Sequence, residues 1–162
     1  MKKDLYQLAG ANYSIDDQSN DSSYILGNLT DTIEFGKQLK VRIPSLKILL
    51  LEGPLGVGKT SLVQGIAISL GINEPITSPT FALSQHYSSS NQSLIHMDLY
   101  RIEDSEEADE LFLQEEELSA ETGVLIVVEW PERLKLHLND AWRIKLSYLP
   151  NNKRLANIQS PE

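Results

Sequence analysis

The chain has no cysteine among its 162 residues, which excludes disulfides, thiolate nucleophiles and cysteine-based metal sites. Positive charge is scarce too. Fourteen Lys and Arg stand against 23 Asp and Glu, a formal net charge of −9. Such a surface repels a phosphate backbone, so nucleic acid is not expected as a direct, dominant ligand. Long apolar runs are missing as well. The longest, from Val124 to Val128, is far too short to span a bilayer. No apolar stretch follows Lys2 and Lys3, so no signal peptide is expected, and the expectation is a cytoplasmic protein with no membrane partner. Neither an internal repeat nor an interdomain linker is found.

What is present is a chain with 41% hydrophobic residues, enough for one domain with a real core. Its most informative segment is Gly53-Pro-Leu-Gly-Val-Gly-Lys59-Thr60, which fits G-x-x-x-x-G-K-[ST], the phosphate-binding P-loop. The segment from Lys47 to Glu52 before it reads as a short buried strand. After it, Leu62, Val63, Ile66, Ala67 and Leu70 recur at helical spacing until Gly71 supplies a C-cap. Strand, glycine loop and helix together turn a string match into a physical site. The glycines let successive N–H groups point inward around an anion, and the helix N-terminus adds partial positive charge. The expected phosphate-binding set is Gly53, Leu55, Gly56, Val57, Gly58, Lys59, Thr60 and Ser61. Lys59 reaches the outer phosphates, and the Thr60 hydroxyl ligates Mg²⁺.

The rest of the chain alternates strands and helices. Residues 1–21 read as a polar, flexible extension, and residues 22–162 as a single domain. A short strand is expected around Tyr24–Leu26. A helix capped by Thr30 or Asp31 follows, with Ile33, Phe35, Gly36 and Leu39 facing inward, and ends near Pro44. Residues Thr80 to Tyr87 and Leu94 to Asp98 read as a hairpin around Ser88-Ser-Ser-Asn91. Asp104 and Glu107 start an acidic helix through Leu113, and Glu115-Glu-Glu117 reads as a solvated face rather than a metal site. The run Val124–Val128 is a strand buried on both faces, and Trp142–Leu149 with Arg154–Ile158 closes the chain as a hairpin across Pro150-Asn-Asn152. This pattern indicates a three-layer α/β fold of the P-loop NTPase type: a mixed, mostly parallel central sheet with antiparallel edge hairpins.

A P-loop alone does not name a reaction. A carboxylate at the C-terminal end of a buried strand is needed to complete the Mg²⁺ shell or orient its water. Glu129 and Asp98 both stand at such ends, and the sequence leaves open which of them serves which purpose. The loop Thr77-Ser78-Pro79-Thr80-Phe81 is either a segment that senses the γ-phosphate or an ordinary turn. Trp130 could stack on the nucleotide or pack in the core, and the residues alone favour the core. His96 reads as a satisfied strand histidine rather than a catalyst. There is no N-K-x-D for guanine, and Asp98-Leu-Tyr-Arg101 is not a D-x-x-G switch, which disfavours a GTPase. An arginine-rich lid of the kind small-molecule kinases use is also missing.

Four motifs follow in order: LLLEGPLGVGKT, TSPTF, HMDLYR and VVEWPE. From about Leu29 through Arg154 this series resembles the TsaE family, the small ATPases of bacterial tRNA threonylcarbamoyladenosine synthesis. Members usually carry Gly-Asp-Leu-Gly-Ala-Gly-Lys-Thr; Pro54 and Val57 depart from that string at variable positions. The resemblance implies that Thr60 and Glu129 hold Mg²⁺, that Asp98 serves the attacking water, and that Trp130 lies close to bound ATP. It implies a switch-like loop over Thr77, Ser78, Pro79 and Thr80, Arg154 near the nucleotide, and Thr30 approaching the base. It further implies slow ATP hydrolysis alone and work in complex with the threonylcarbamoyltransferase and its inactive paralogue, which would carry the tRNA contacts. Two other readings stand beside it: a small-molecule phosphotransferase and a non-hydrolysing nucleotide-sensing adaptor.

Overall fold

The computed structural model describes residues 22–162, so the extension expected over residues 1–21 lies outside the described residues. Strand β1 (Ser22–Leu26) runs through Gly27 into helix α1 (Leu29–Arg42). The α1 cap is Asn28, upstream of the expected Thr30 or Asp31. Its side chain accepts from the Asp31 N–H at 2.9 Å, while Asp31 Oδ2 accepts from the Gly27 N–H at 2.8 Å. Two orphan donors are thereby satisfied reciprocally. Strand β2 (Ile48–Glu52), three of whose leucines are buried, leads through the glycine loop into α2 (Lys59–Ser69), and Gly71 follows in the left-handed region at φ 72°.

Strands β3 (Ser84–Ser88) and β4 (Ser93–Asp98) form the expected hairpin, but β3 starts later than the predicted Thr80. Residues 80–83 are instead a turn: the Leu83 N–H reaches back to the Pro79 carbonyl at 2.6 Å, and Leu83 sits at φ 65°. Helix α3 (Ser105–Thr122), capped by Asp104, runs past the expected end at Leu113 until Gly123 closes it at φ 67°. Good helix formers fill residues 114–117 and nothing breaks the helix before that glycine. Strand β5 (Leu125–Glu129), a short 3₁₀ turn (Pro131–Arg133), and strands β6 (Trp142–Tyr148) and β7 (Arg154–Gln159) complete the domain. The β6–β7 turn carries Asn151 and Asn152 at φ 61° and 58°, the pair of positive angles that suits a tight hairpin.

The seven strands form one sheet in the order β1-β7-β6-β2-β5-β4-β3. The four central strands β6, β2, β5 and β4 are mutually parallel, and antiparallel pairs close both ends. Helices α1 and α2 cover one face, where Phe35, Leu39, Leu62 and Ile66 meet Leu49, Leu51 and Val127. Helix α3 covers the other, where Phe112 and Ala108 meet Leu50, Ile126 and Val128. This is the expected three-layer arrangement, and the apolar run of β5 is buried on both faces as a parallel central strand must be. Of the residues expected to face inward, Phe35, Gly36 and Leu39 are buried and Ile33 is half-buried.

Helices α1 and α2 approach closely because each offers a glycine. A Cβ on Gly36 would run into the Leu62 carbonyl oxygen, and one on Gly65 into that of Ile33. Among the described residues no helix is long and apolar enough to cross a membrane.

Candidate nucleotide-binding site

The loop between β2 and α2 takes its shape from three glycines that occupy backbone angles other residues avoid: Gly53 at φ 140°, Gly56 at 76° and Gly58 at 116°. A Cβ on Gly53 would come within 2.5 Å of the Leu146 carbonyl oxygen, so the loop also needs glycine for packing. Lys59 opens α2 and turns back into the loop, its Nζ donating to the carbonyls of Gly53 at 2.6 Å and Pro54 at 3.0 Å. Only 5% of Lys59 is exposed. Burial pushes its ammonium below the ordinary lysine range, opposed by the charges of Glu129, Asp98 and Glu132. The ammonium lies 4.2 Å from the centre of the Trp130 ring.

The sheet delivers the acids. Strands β4 and β5 are parallel neighbours in register, with Asp98 opposite Glu129 at their C-terminal ends. Both side chains are buried at 3% exposure. Ligands in open α/β sheets sit beyond such strand ends. The Thr60 hydroxyl donates to Glu129 Oε1 at 3.0 Å, which ties the first turn of α2 to β5. Asp98 Oδ2 accepts from the Ser78 and Thr80 hydroxyls at 2.8 and 2.7 Å, and its Oδ1 accepts from the Tyr100 N–H at 3.0 Å. The hydroxyls around Pro79 therefore dock the loop onto Asp98, which is why the turn at residues 80–83 replaces the expected start of β3.

These groups share one cleft of about 380 Å³. Lys59, Thr60, Ser61, Asp98 and Glu129 line its polar end, with Ser78 and Thr80 at one side. Leu29, Leu55, Tyr100 and Trp130 supply apolar wall, while Gly56 and Gly58 bring backbone to its floor.

Residues 26–156 match the model of the TsaE family, described as threonylcarbamoyl adenosine biosynthesis proteins. The chain belongs to the TsaE family. The tRNA threonylcarbamoyladenosine biosynthesis protein TsaE of a Synechocystis strain is 42% identical over 117 residues, 71% of this chain and 73% of that one. Its namesake in a Nostoc strain is 36% identical across 82% of both chains, and that of Rickettsia bellii 38% identical across 87% of this chain and 96% of its own. The crystal structure of Bacillus subtilis YdiB superposes with a TM-score of 0.67 at 24% identity, over 88% of this chain and 86% of that one, and shares the fold.

Not every residue expected at the TsaE-type site lines the cleft. Thr30 is exposed at the start of α1, and the residue that α1 contributes to the cleft is its neighbour Leu29. The shift follows from the Asn28 cap, which turns the first helical residue toward the P-loop: Leu29 Cδ2 lies 3.3 Å from where a Gly58 Cβ would be. Arg154 is buried behind the loop rather than facing the cleft. Its Nε donates to the Val57 carbonyl at 3.1 Å and its guanidinium also reaches the Asn152 carbonyl. Gly53 and Val57 frame the loop from outside the cleft, Val57 being fully buried. Thr77 is exposed and Pro79 buried, and neither is a lining residue.

Trp130 lies in the cleft wall and not in the core alone, contrary to what its residue type favours. The left-handed turn at φ 60° directs the chain away from β5, and its ring meets Tyr100 at 4.8 Å between centroids. Tyr100 and Leu29 are lining residues that sequence reasoning did not single out. For Tyr100 a signal was available, its place two residues after a strand-end acid. His96, read as a strand histidine, lies in β4, and its Nε2 stands 2.9 Å from Glu129 Oε1. Glu115, within the expected solvated face, lies 2.8 Å from His86 Nε2 with its side chain 12% exposed.

Proposed function

We propose that this chain is an Mg²⁺-dependent ATPase subunit of tRNA threonylcarbamoyladenosine biosynthesis. It works in a complex with the threonylcarbamoyltransferase and that enzyme's inactive paralogue. The observation that carries this reading is the convergence of Lys59, Thr60, Glu129 and Asp98 in one cleft at the mouth of a P-loop.

The donor set fits magnesium. The Thr60 hydroxyl and the Glu129 carboxylate to which it donates are hard oxygen ligands, and Mg²⁺ is commonly held by one or two protein oxygens with phosphates and water supplying the rest. Thr60 and Glu129 would hold Mg²⁺, which when bound would supply positive charge against the charge that develops in phosphoryl transfer. The backbone N–H groups from Leu55 to Thr60 and the α2 N-terminus bind the phosphates. Lys59 exchanges its two loop carbonyls for phosphate oxygens. Asp98 orients the water: an ionised carboxylate offers about four acceptor sites, and three already hold the Ser78, Thr80 and Tyr100 donors. Trp130 and Tyr100 exclude bulk water from one side, which strengthens the electrostatic interactions inside.

The deciding measurement is phosphate release from ATP by the full chain alone, with the two partner proteins, and with partners and tRNA. The expected result is slow hydrolysis alone and a marked increase in the assembly. Nucleotide-dependent assembly without phosphate release would make the chain a sensor instead. Transfer of the phosphate to a metabolite would make it a phosphotransferase.

A further inference from the structure

His96 lies in the middle of β4, its side chain wholly buried, between the apolar neighbours Ile95 and Met97. A position so enclosed ordinarily takes a hydrocarbon side chain. The histidine makes one polar contact among the described residues, Nε2 to Glu129 Oε1 at 2.9 Å, while its Nδ1 is buried without a partner. A carboxylate accepts, so Nε2 carries the hydrogen and donates. A buried orphan nitrogen is a cost to the fold, and such exceptions call for an explanation. The one bond that His96 does make falls on a cleft carboxylate.

The geometry of that carboxylate supplies the explanation. Glu129 Oε1 receives two donors, His96 Nε2 at 2.9 Å and the Thr60 hydroxyl at 3.0 Å. Among the described residues no hydrogen bond goes to Oε2. Both donors on one oxygen fix the rotation of the carboxylate about its terminal bond, a torsion that is otherwise broad. Register explains how His96 reaches it. Along β4, residues 96 and 98 point to the same face, and Asp98 pairs with Glu129, so His96 sits diagonally beneath Glu129.

We infer that His96 is a positioning residue for the divalent cation: it pins Oε1 of Glu129 from beneath and leaves Oε2 to the cation or its water. The inference rests on reading the cleft as a metal–nucleotide site. Groups that orient a metal-ligating carboxylate typically change metal affinity by about 10- to 100-fold when removed.

The test uses the full chain, ATP, and Mn²⁺ as a spectroscopic stand-in for magnesium. ATP binding in EDTA and Mn²⁺ uptake by the protein–ATP complex, read by electron paramagnetic resonance, are measured for wild type, His96→Leu and His96→Gln. His96→Leu is expected to bind ATP in EDTA within about 2-fold of wild type but to bind Mn²⁺ at least about 10-fold more weakly. His96→Gln, whose amide N–H can reach Oε1, is expected to recover most of that loss. Three results would overturn the inference: wild-type Mn²⁺ affinity in His96→Leu, an equal loss of ATP binding in EDTA, or no recovery in His96→Gln. Failure of both variants to fold would also overturn it, by assigning His96 to the sheet core. A wild-type chain that binds ATP without taking up Mn²⁺ would instead refute the metal–nucleotide reading itself.

Discussion

Asp98 makes more bonds than any other group in the cleft, and its three partners come from two segments. Ser78 and Thr80 belong to the loop before β3, and Tyr100 to the chain leaving β4. Removing the carboxylate therefore does two things: it takes away the acceptor for water and it releases the loop. Neither removes Lys59 or the loop backbone, to which the proposed function gives the phosphates. Asp98→Ala is thus expected to bind ATP within a few-fold of wild type, by equilibrium titration, and to lose most partner-stimulated phosphate release. Replacing one positioned proton-transfer or water-orienting group commonly costs about 10²–10⁴ in rate. Unchanged turnover in the assembled system would remove Asp98 from the reaction. Trp130 allows a second residue-level measurement. Its ring lies 4.2 Å from the Lys59 ammonium, whereas Trp142 starts β6 away from the cleft wall. Trp130→Phe should abolish any change in tryptophan fluorescence on ATP addition, and a change that persists through Trp142 would separate Trp130 from the nucleotide.

At the scale of elements, the packing of α1 on α2 is the most constrained contact, since Gly36 and Gly65 bring backbone against backbone. Gly65→Ala forces the helices apart. Overpacking of this kind typically costs about 1–3 kcal/mol, and here the added methyl meets backbone that cannot rotate away. A denaturant midpoint lowered by that amount is expected, together with weaker ATP binding because α2 carries Lys59 and Thr60. The elements themselves differed in how clearly the sequence announced them. Strands β2 and β5 were legible as unbroken apolar runs, and the β6–β7 hairpin from its Asn-Asn turn. The start of β3 was not legible, because the segment from Thr80 alternates as a strand does. What decides its conformation is Asp98, 18 residues on, drawing the Ser78 and Thr80 hydroxyls to itself. The α1 cap was misplaced by local competition among Asn28, Thr30 and Asp31, all good capping residues. The geometry of the glycine loop was legible because glycines at positions 53, 56 and 58 report left-handed backbone directly. The roles of Arg154 and His96 were not, since both act through tertiary contacts with residues 97 and 33 positions away along the chain.

The molecule as a whole carries nine more acidic than basic charges, by 23 minus 14. Helix α3 concentrates many of them, with Glu106 and Glu107 in its first turn and Glu115 to Glu117 further on. A surface of this sign disfavours direct contact with RNA. The full chain alone is therefore expected to leave tRNA unshifted in a native gel at about 0.15 M salt, where exposed charges are screened beyond about 8 Å. Association is expected only when the two partner proteins are added. A tight, salt-sensitive complex between the chain and tRNA alone would contradict the division of labour proposed above.

The β6–β7 hairpin holds the glycine loop at three points. The Leu146 carbonyl packs on Gly53, the Tyr148 hydroxyl donates to the Leu55 carbonyl at 3.2 Å, and Arg154 donates to that of Val57. Tyr148 and Arg154 lie 93 and 97 positions along the chain from the loop carbonyls they hold. A chain folded only as far as β5 has every residue of the glycine loop and both acids, but not the contacts that brace the loop. The glycine loop is thus fully braced only when β7 seats.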